Sequence, residues 1–321
     1  MNKIDYLKQC HQQLKDLHQK ESISLVYLWL DYIYAFLFHG CLIKQYTAGG
    51  FYKIKRFKMK EVMTQKRLDS IIDKYNRWSQ IPQLANKGAF NALFSKWVKR
   101  KWLLSKDLSK ETFEDFVRTN KVIFVKPLDA QEGVGIKSYY DLDKREADLL
   151  YNGIKDKNYI IEEAITQHKR MFFGNHSVNT IRIITCVDTK KQAHILRAAL
   201  RAGIGNSVVD NFSAGGVLYN IDVETGIIDS KGICNNGFSY IYHPGTETCM
   251  LGYKIPMWEC VLETVKEAAK VLEKCRFIGW DVAITESGVE LIEGNHNPGL
   301  FTLESVGKPY TYHEALSYLE M

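Results

Sequence analysis

The chain has 321 residues, 45% hydrophobic and 25% charged, with only 6 Pro. That composition excludes disordered, collagen-like and mucin-like chains, and the length suffices for about two domains with buried cores. The net charge of +6 is unevenly placed: residues 1–110 hold 21 Lys+Arg against 8 Asp+Glu, and residues 111–321 hold 22 against 29. A basic front half suits phosphate groups, nucleic acid or anionic lipid, or is simply a solvated surface. Cys10, Cys41, Cys186, Cys234, Cys249, Cys260 and Cys275 form no C-x-x-C pair and no zinc-finger spacing. This excludes a disulfide framework and points to a reducing compartment. The first twenty residues are polar throughout, without a secretory pattern, so a cytoplasmic location is expected.

In chain order, residues 6–20 carry apolar positions at helical spacing. Residues 23–43, ISLVYLWLDYIYAFLFHGCLI, approach the length of a membrane span but contain Asp31 and His39. Charge inside a span is costly, so a buried helix or one lying in a membrane interface is expected there. Residues 52–60 alternate apolar and basic side chains, as an exposed strand or the basic face of a helix would. Helical spacing returns over 61–78 and 86–101, with Gly49-Gly50 and Ile81-Pro82 as punctuation.

From Lys121 the pattern turns to strands. VIFVKP, IKSYY, YIIEEAI (159–165), TIRIITCV (180–187) and HILRAAL (194–200) are short apolar runs, and residues 216–222 and 226–229 flank a turn. Residues 257–274 predict an amphipathic helix, and 277–285 with 289–293 a hairpin around Glu286-Ser287-Gly288.

Four constellations carry chemistry. Lys126 ends a strand, and Asp129-Ala130-Gln131-Glu132-Gly133-Val134-Gly135 leads into a strand with Lys137. Gly133 and Gly135 let backbone N–H groups approach an anion beside the lysines, although two glycines also suit an ordinary loop. It is neither a Walker loop nor a dinucleotide fingerprint: no GK[ST] follows, and a strand succeeds it instead of a helix. Second, Asp281 and Glu293 project on one side across the predicted hairpin, with Asn295 two residues on. These hard oxygen donors suit Mg²⁺ holding nucleotide phosphates, whereas carboxylates without a partner are disfavoured among apolar neighbours. Third, Arg182, Arg197 and Arg201 lie within apolar strands, as anion clamps or as ion-pair partners of Glu163 or Asp210. Fourth, Asp210-Asn211-Phe212-Ser213-Ala214-Gly215-Gly216 is a small-residue loop able to close over a substrate or merely connect strands. No G-x-S-x-G and no H-E-x-x-H occurs, and His243 and His296 stand alone.

Taken in order, Asn86-Lys87, FVKP with its glycine loop, YIIEEAI, NTIRI, DNFSAGG and D…E-x-N resemble an ATP-grasp enzyme over residues 87–308. SVNTIRIIT, VVDNFSAGG and HPGTET…G-x-x-I-P-x-W (243–258) are similar to the sugar-transfer-associated branch found among bacterial surface-polysaccharide proteins. The resemblance implies an α+β ATP-grasp fold, two subdomains clamping ATP, behind a helical N-terminal region. Boundaries are expected at 1–80, 81–165 and 166–321. It further implies that Lys87, Lys126, Gly133, Gly135 and Lys137 serve the ATP phosphates. Glu162, Glu163, Ala164 and Ile165 would form the hinge that pairs with adenine through backbone groups. Asp281, Glu293 and Asn295 would hold Mg²⁺. Arg182 and Arg201 would face the transferred phosphate or acyl substrate, with Asn211 of the closing loop as a further catalytic candidate. The stretch Gln167-His168-Lys169 stands where relatives often carry a ribose-binding Glu.

The activity so implied is ATP-dependent joining of a carboxylate to an amine through an acyl phosphate. The expected partners are ATP, a carboxylate such as an amino acid and an amine or sugar acceptor. Peripheral contact with an anionic membrane or lipid-linked sugar is expected, and nucleic acid is not. The alternatives are an ATP-grasp kinase acting on a hydroxyl, and a non-catalytic scaffold of polysaccharide assembly.

Overall fold

Strand β10 (Phe277–Thr285) is buried along nearly its whole length, as its sequence FIGWDVAIT requires, and the larger sheet is built around it. The computed structural model describes residues 2–47, 49–106, 108–130, 134–174, 177–205, 215–234, 239–300 and 311–321. On one side β10 pairs with β11 (Gly288–Asn295) and on the other with β5 (Thr180–Val187). The sheet continues through β6 (Ala193–Ala202), β7 (Val217–Ile221), β8 (Gly232–Ile233) and β9 (Ser239–Tyr240), giving the order β11-β10-β5-β6-β7-β8-β9. A smaller sheet holds β1 (Trp102–Leu104), β2 (Val122–Pro127), β3 (Lys137–Tyr140) and β4 (Tyr159–Glu163) in the order β1-β4-β2-β3. Every ladder in both sheets is antiparallel, so short hairpins suffice for many of the connections.

Strand alternation sends Trp280, Val282, Ile181 and Ile183 into one core, beneath α5 (Ile81–Ala85), α6 (Lys87–Leu93) and α9 (Trp258–Ala269). Trp280 is fully buried, meets Phe94 edge-on at 5.3 Å and donates from Nε1 to Thr185 Oγ1 at 2.9 Å. Phe277, Ile184 and Cys186 form another core with α4 (Gln65–Tyr75) and α10 (Thr311–Glu320). The smaller sheet packs on α7 (Lys110–Thr119) and α8 (Lys144–Ile154). A capping box between Asp143 and Glu146 starts α8 by satisfying backbone donors at its first turn. A separate core joins α1 (Lys3–Glu21), α2 (Leu25–His39), α3 (Ile43–Thr47) and the buried Phe51, Met59 and Val62.

Two expectations need correction. Residues 52–60 are neither strand nor long helix but run through 3₁₀ turns, Phe51–Lys53 and Arg56–Glu61. Phe51 and Met59 are pulled into the front core while Lys53, Lys55 and Lys60 stay outside, which a regular period cannot achieve. The helical pattern of 86–101 stops at Leu93, and the rest crosses the large core as turns into β1. In 23–43 the helix covers Leu25–His39, and no helix among the described residues is long and apolar enough to cross a membrane.

The packing predicts that Trp280→Ala lowers stability by about 3–5 kcal/mol in urea titration, through lost burial plus a cavity. Trp78→Ala, at a site 70% exposed, is expected to change it by less than about 0.5 kcal/mol.

Candidate active site in the cleft between the sheets

Cross-strand register lines up the central charges. Asp281 of β10 stands opposite Glu293 of β11 and opposite Arg182 of β5, so the three form a row across the sheet. Arg182 grips Asp281 with two prongs, Nε to Oδ1 at 2.5 Å and Nη2 to Oδ2 at 3.0 Å. Arg201, from β6, donates from Nη1 to Oδ2 at 2.8 Å. Among the described residues both arginines pair with Asp281 and neither with Glu163, while Asp210 lies outside those residues. Arg197 goes elsewhere, to Glu314 of α10 at 2.8 Å. Arg182 also donates to the Pro298 carbonyl at 3.2 Å. Gly279 keeps that approach open, because a Cβ there would fall 2.7 Å from the Pro298 ring.

The two acids differ. Burial pushes the Asp281 carboxyl up, but Arg182 and Arg201 more than offset this and bring it down to about 2. Glu293 is raised, first by burial and then by the negative Asp281 beside it. Asn295 donates from Nδ2 to Glu293 Oε1 at 3.0 Å. Two facing carboxyls, Asp281 buried and Glu293 half-buried, and an amide oxygen are hard donors that a divalent cation would satisfy. Among the described residues no group of three or more His, Cys, Asp and Glu side chains forms a metal cluster. A cation held here would therefore draw its other ligands from phosphate oxygens and water, the habit of Mg²⁺. His296 is half-buried, and burial lowers its pKa.

Helices α5 and α6 and the loop after β2 supply the opposite wall. Lys87, at the start of α6, donates from Nζ to the carbonyls of Pro127, at 3.1 Å, and Ala130, at 2.5 Å. Its ammonium thus fastens the first residues of the glycine loop. Burial lowers its pKa, and it feels the charges of Glu293, Lys126 and Glu162. One cleft brings these walls together, lined by Leu84, Lys87, Phe90 and Ala130 on one side and by Glu293, Asn295 and Asn297 on the other. Lys126, at the end of β2, pairs with Glu162 Oε2 at 2.5 Å.

Glu162 sits in a buried cluster that sequence reading missed. Arg100 donates from Nε to Glu162 Oε1 at 2.9 Å and from Nη1 to Glu290 Oε1 at 2.8 Å. Asn91 bridges the two, donating to Glu162 and accepting from Arg100. The register of β10 and β11 shifts between Asp281 and Val282, leaving Ile292 as the extra residue of a bulge. Arg100 reaches the backbone there, donating to the carbonyls of Leu291 at 2.8 Å and Ile292 at 3.2 Å. Burial raises the Glu162 carboxyl, yet Arg100 and Lys126 together hold it far below the usual carboxylate range. In the sequence Arg100 is one more cation of KWVKRK; only the flanking Trp97, Val98 and Trp102 hint at burial.

At the hinge, the N–H of Glu163 donates to the Lys101 carbonyl and that of Ala164 to the Val122 carbonyl. The Ile165 amide has no hydrogen-bond partner among the described residues. Gly135 has φ +76°, and a Cβ there would lie 2.9 Å from the Pro127 ring, so the hairpin requires glycine. Lys137 is exposed, paired through the backbone with Val125. Gly133 and Asn211 lie outside the described residues. After the hinge, Glu286 of the β10–β11 turn accepts from the Lys169 amide at 2.8 Å and lies 3.7 Å from His168, so this stretch is tied to the larger sheet.

A sequence profile for sugar-transfer associated ATP-grasp matches residues 137–315, more than half the chain. No curated protein matches. Solved structures that resemble the chain include N5-carboxyaminoimidazole ribonucleotide synthetase with ADP, at TM-score 0.46 and 10% identity over 74% of this chain and 52% of that one. The ATP-grasp ligase PsnB with minimal precursor, Mg and ADP gives TM-score 0.46 and 12% identity over 76% and 60%. D-alanine–D-alanine ligase from Helicobacter pylori gives TM-score 0.46 and 15% identity over 74% and 61%. The chain thus spans between about half and three fifths of the length of these structures.

The buried cluster predicts the outcome of Arg100→Met. Stability at pH 7 should fall by about 3–5 kcal/mol, because Glu162 and Glu290 lose their shared cation. The sign with pH follows from the depressed Glu162. In the wild type its contribution is present above the ordinary carboxylate pKa of about 4.3 and is lost as pH falls through and below it. In the variant the acids left without Arg100, Glu290 above all since Glu162 keeps Lys126, are buried most cheaply when protonated, so the deficit should shrink at pH 4. Urea titrations of both proteins at pH 7 and pH 4 check this; an equal deficit at both would exclude a charge effect.

Proposed function

Because the chain belongs to the sugar-transfer associated ATP-grasp family, we propose that it is an ATP- and Mg²⁺-dependent ligase that joins a carboxylate to an amine through an acyl phosphate. The observation that carries this reading is the cleft in which Lys87 and Ala130 oppose Glu293 and Asn295, beside Asp281 in its arginine grip.

ATP would lie between the sheets. Lys126 and Lys87 would meet its phosphates, and the loop that Lys87 fastens would cover them, with Lys137 and the backbone at Gly133 and Gly135 adding donors and charge. The adenine would dock at residues 162–165, where Ile165 offers its amide. Asp281, Glu293 and Asn295 would hold Mg²⁺, which when bound neutralises charge on phosphate oxygens. Arg182 and Arg201 keep Asp281 ionised and set cationic charge beside the place where phosphoryl transfer would occur. Asn211 would complete the contacts from the loop that closes over the substrate. No protein nucleophile is required, because ATP activates the carboxylate and the amine displaces the phosphate. Catalysis then consists of positioning and charge neutralisation.

The family's association with sugar transfer supports an amino acid as the carboxylate and a sugar or peptide amine as the acceptor, in surface-polysaccharide assembly. The enzyme would work in the cytoplasm, at the inner face of the membrane.

Incubation with Mg²⁺, γ-labelled ATP, pooled amino acids and amino sugars tests the reaction. Free labelled phosphate that depends on both an amino acid and an amine is expected. Asp281→Ala and Glu293→Ala should each reduce its release by about a hundredfold or more. Label retained on a sugar hydroxyl would replace the ligase with a kinase. Silence of the wild type and both variants alike, with none of them binding ATP, would overturn the reading.

A further inference from the structure

Helix α2 is inside out for a helix bathed in water. Its charged residue, Asp31, is buried, accepting from the Tyr46 hydroxyl at 2.8 Å and lying 3.6 Å from Arg56. Its solvent side holds only apolar and aromatic residues: Val26, Leu30, Leu37 and Phe38 are 63–69% exposed, with Ile33 and Phe36 next to them. A surface helix normally turns charged and polar groups outward. Exposed apolar residues also occur on α1. Tyr6 bonds Tyr32 at 2.7 Å and His11 stacks on Trp29, so α1 runs antiparallel beside α2. Ile4 and Leu7, exposed by 65% and 58%, therefore flank the C-terminal half of α2. A patch of this kind marks an interaction surface.

Charge selects the occupant. Arg56 lies over the Tyr34 ring at 4.7 Å, on the flank of the apolar face. Lys53, Lys55, Phe57 and Lys60, from the two neighbouring 3₁₀ turns and the link between them, are also exposed. An apolar face with a basic and aromatic margin is the pattern of a helix lying in an anionic bilayer surface. At 15 residues α2 is about 22 Å long, shorter than the ~30 Å hydrocarbon core. It can lie along the interface but not cross. A second copy of the chain fits less well, because an isologous contact would set two such basic margins against each other.

We propose that α2 lies flat in the surface of an anionic membrane, with Val26, Leu30, Ile33 and Leu37 among the acyl chains and the 53–60 segment on the lipid head groups. This specifies the surface behind the membrane contact named above. It rests on the surface alone, so it survives failure of the ligase reading and can fail without it.

The test is sedimentation of the full-length protein with vesicles of phosphatidylcholine, with and without an equal share of phosphatidylglycerol. The wild type should sediment with the anionic vesicles, less so at high salt, and stay in solution with neutral ones. Leu30→Glu/Leu37→Glu should weaken anionic-vesicle binding by about tenfold or more, with circular dichroism and melting temperature unchanged. Lys55→Glu/Lys60→Glu, which leaves the apolar face intact, should weaken it in the same direction and reduce its salt dependence. A wild type that ignores both vesicle types, or binds both equally, overturns the proposal. So does light scattering that shows a dimer dissociated by Leu30→Glu/Leu37→Glu, since the face would then belong to a second copy.

Discussion

The guanidinium of Arg100 joins what the chain keeps apart. It holds Glu162 of the smaller sheet, Glu290 of the larger one and the carbonyls left by the β11 bulge. Burying three charges is expensive unless each is paired and hydrogen-bonded, and here the five-donor fork of arginine meets that condition. Lysine, a point charge, could not reach two carboxylates and two carbonyls in one plane. The consequences run outward from this contact. Glu162, once ionised, holds Lys126 at the end of β2, and β2 leads into the loop that Lys87 fastens. The opposite end of the same guanidinium steadies the bulge just before Glu293 and Asn295. Both walls of the cleft are thus referred to one side chain that touches neither the glycine loop nor the proposed cation.

The second organising constraint is the antiparallel register of β11, β10 and β5. It places an acid, an acid and a base side by side, and their unlike environments separate their protonation states. Asp281 has two guanidinium partners and is held ionised; Glu293 has an amide and a negative neighbour and is pushed toward its neutral form. Glu293 is the acid of the pair left without a guanidinium, which is why a cation is proposed to sit beside it.

The front of the chain obeys a different solvent logic. Its core uses Asp31, Tyr46, Tyr6 and Tyr32 inside, where each finds a hydrogen-bond partner, and leaves leucine and phenylalanine outside. That inversion is stable in water only at the cost of exposed apolar area, and the basic margin beside it states which surface would remove the cost.

Periodicity was enough to read much of this molecule from residues alone. Strand alternation put Glu293 and Asn295 on one face of β11, but a regular ladder from the turn would set Asp281 opposite Ile292, and it is the bulge there that brings Glu293 across from it. The ordered motifs likewise carried the family. Tertiary structure alone decided the rest. Which acid pairs with Arg182 and Arg201 depends on β10 inserting beside β5, some hundred residues away in sequence. Arg100 and Asn91 stand in a basic, helix-like stretch whose local pattern matches an exposed surface, and only the meeting of two sheets turns them inward. Residues 52–60 yielded their alternation to two buried anchors, Phe51 and Met59. Local spacing reports what one element prefers; burial of charge is set by what packs against it, and that is a property of the assembled fold.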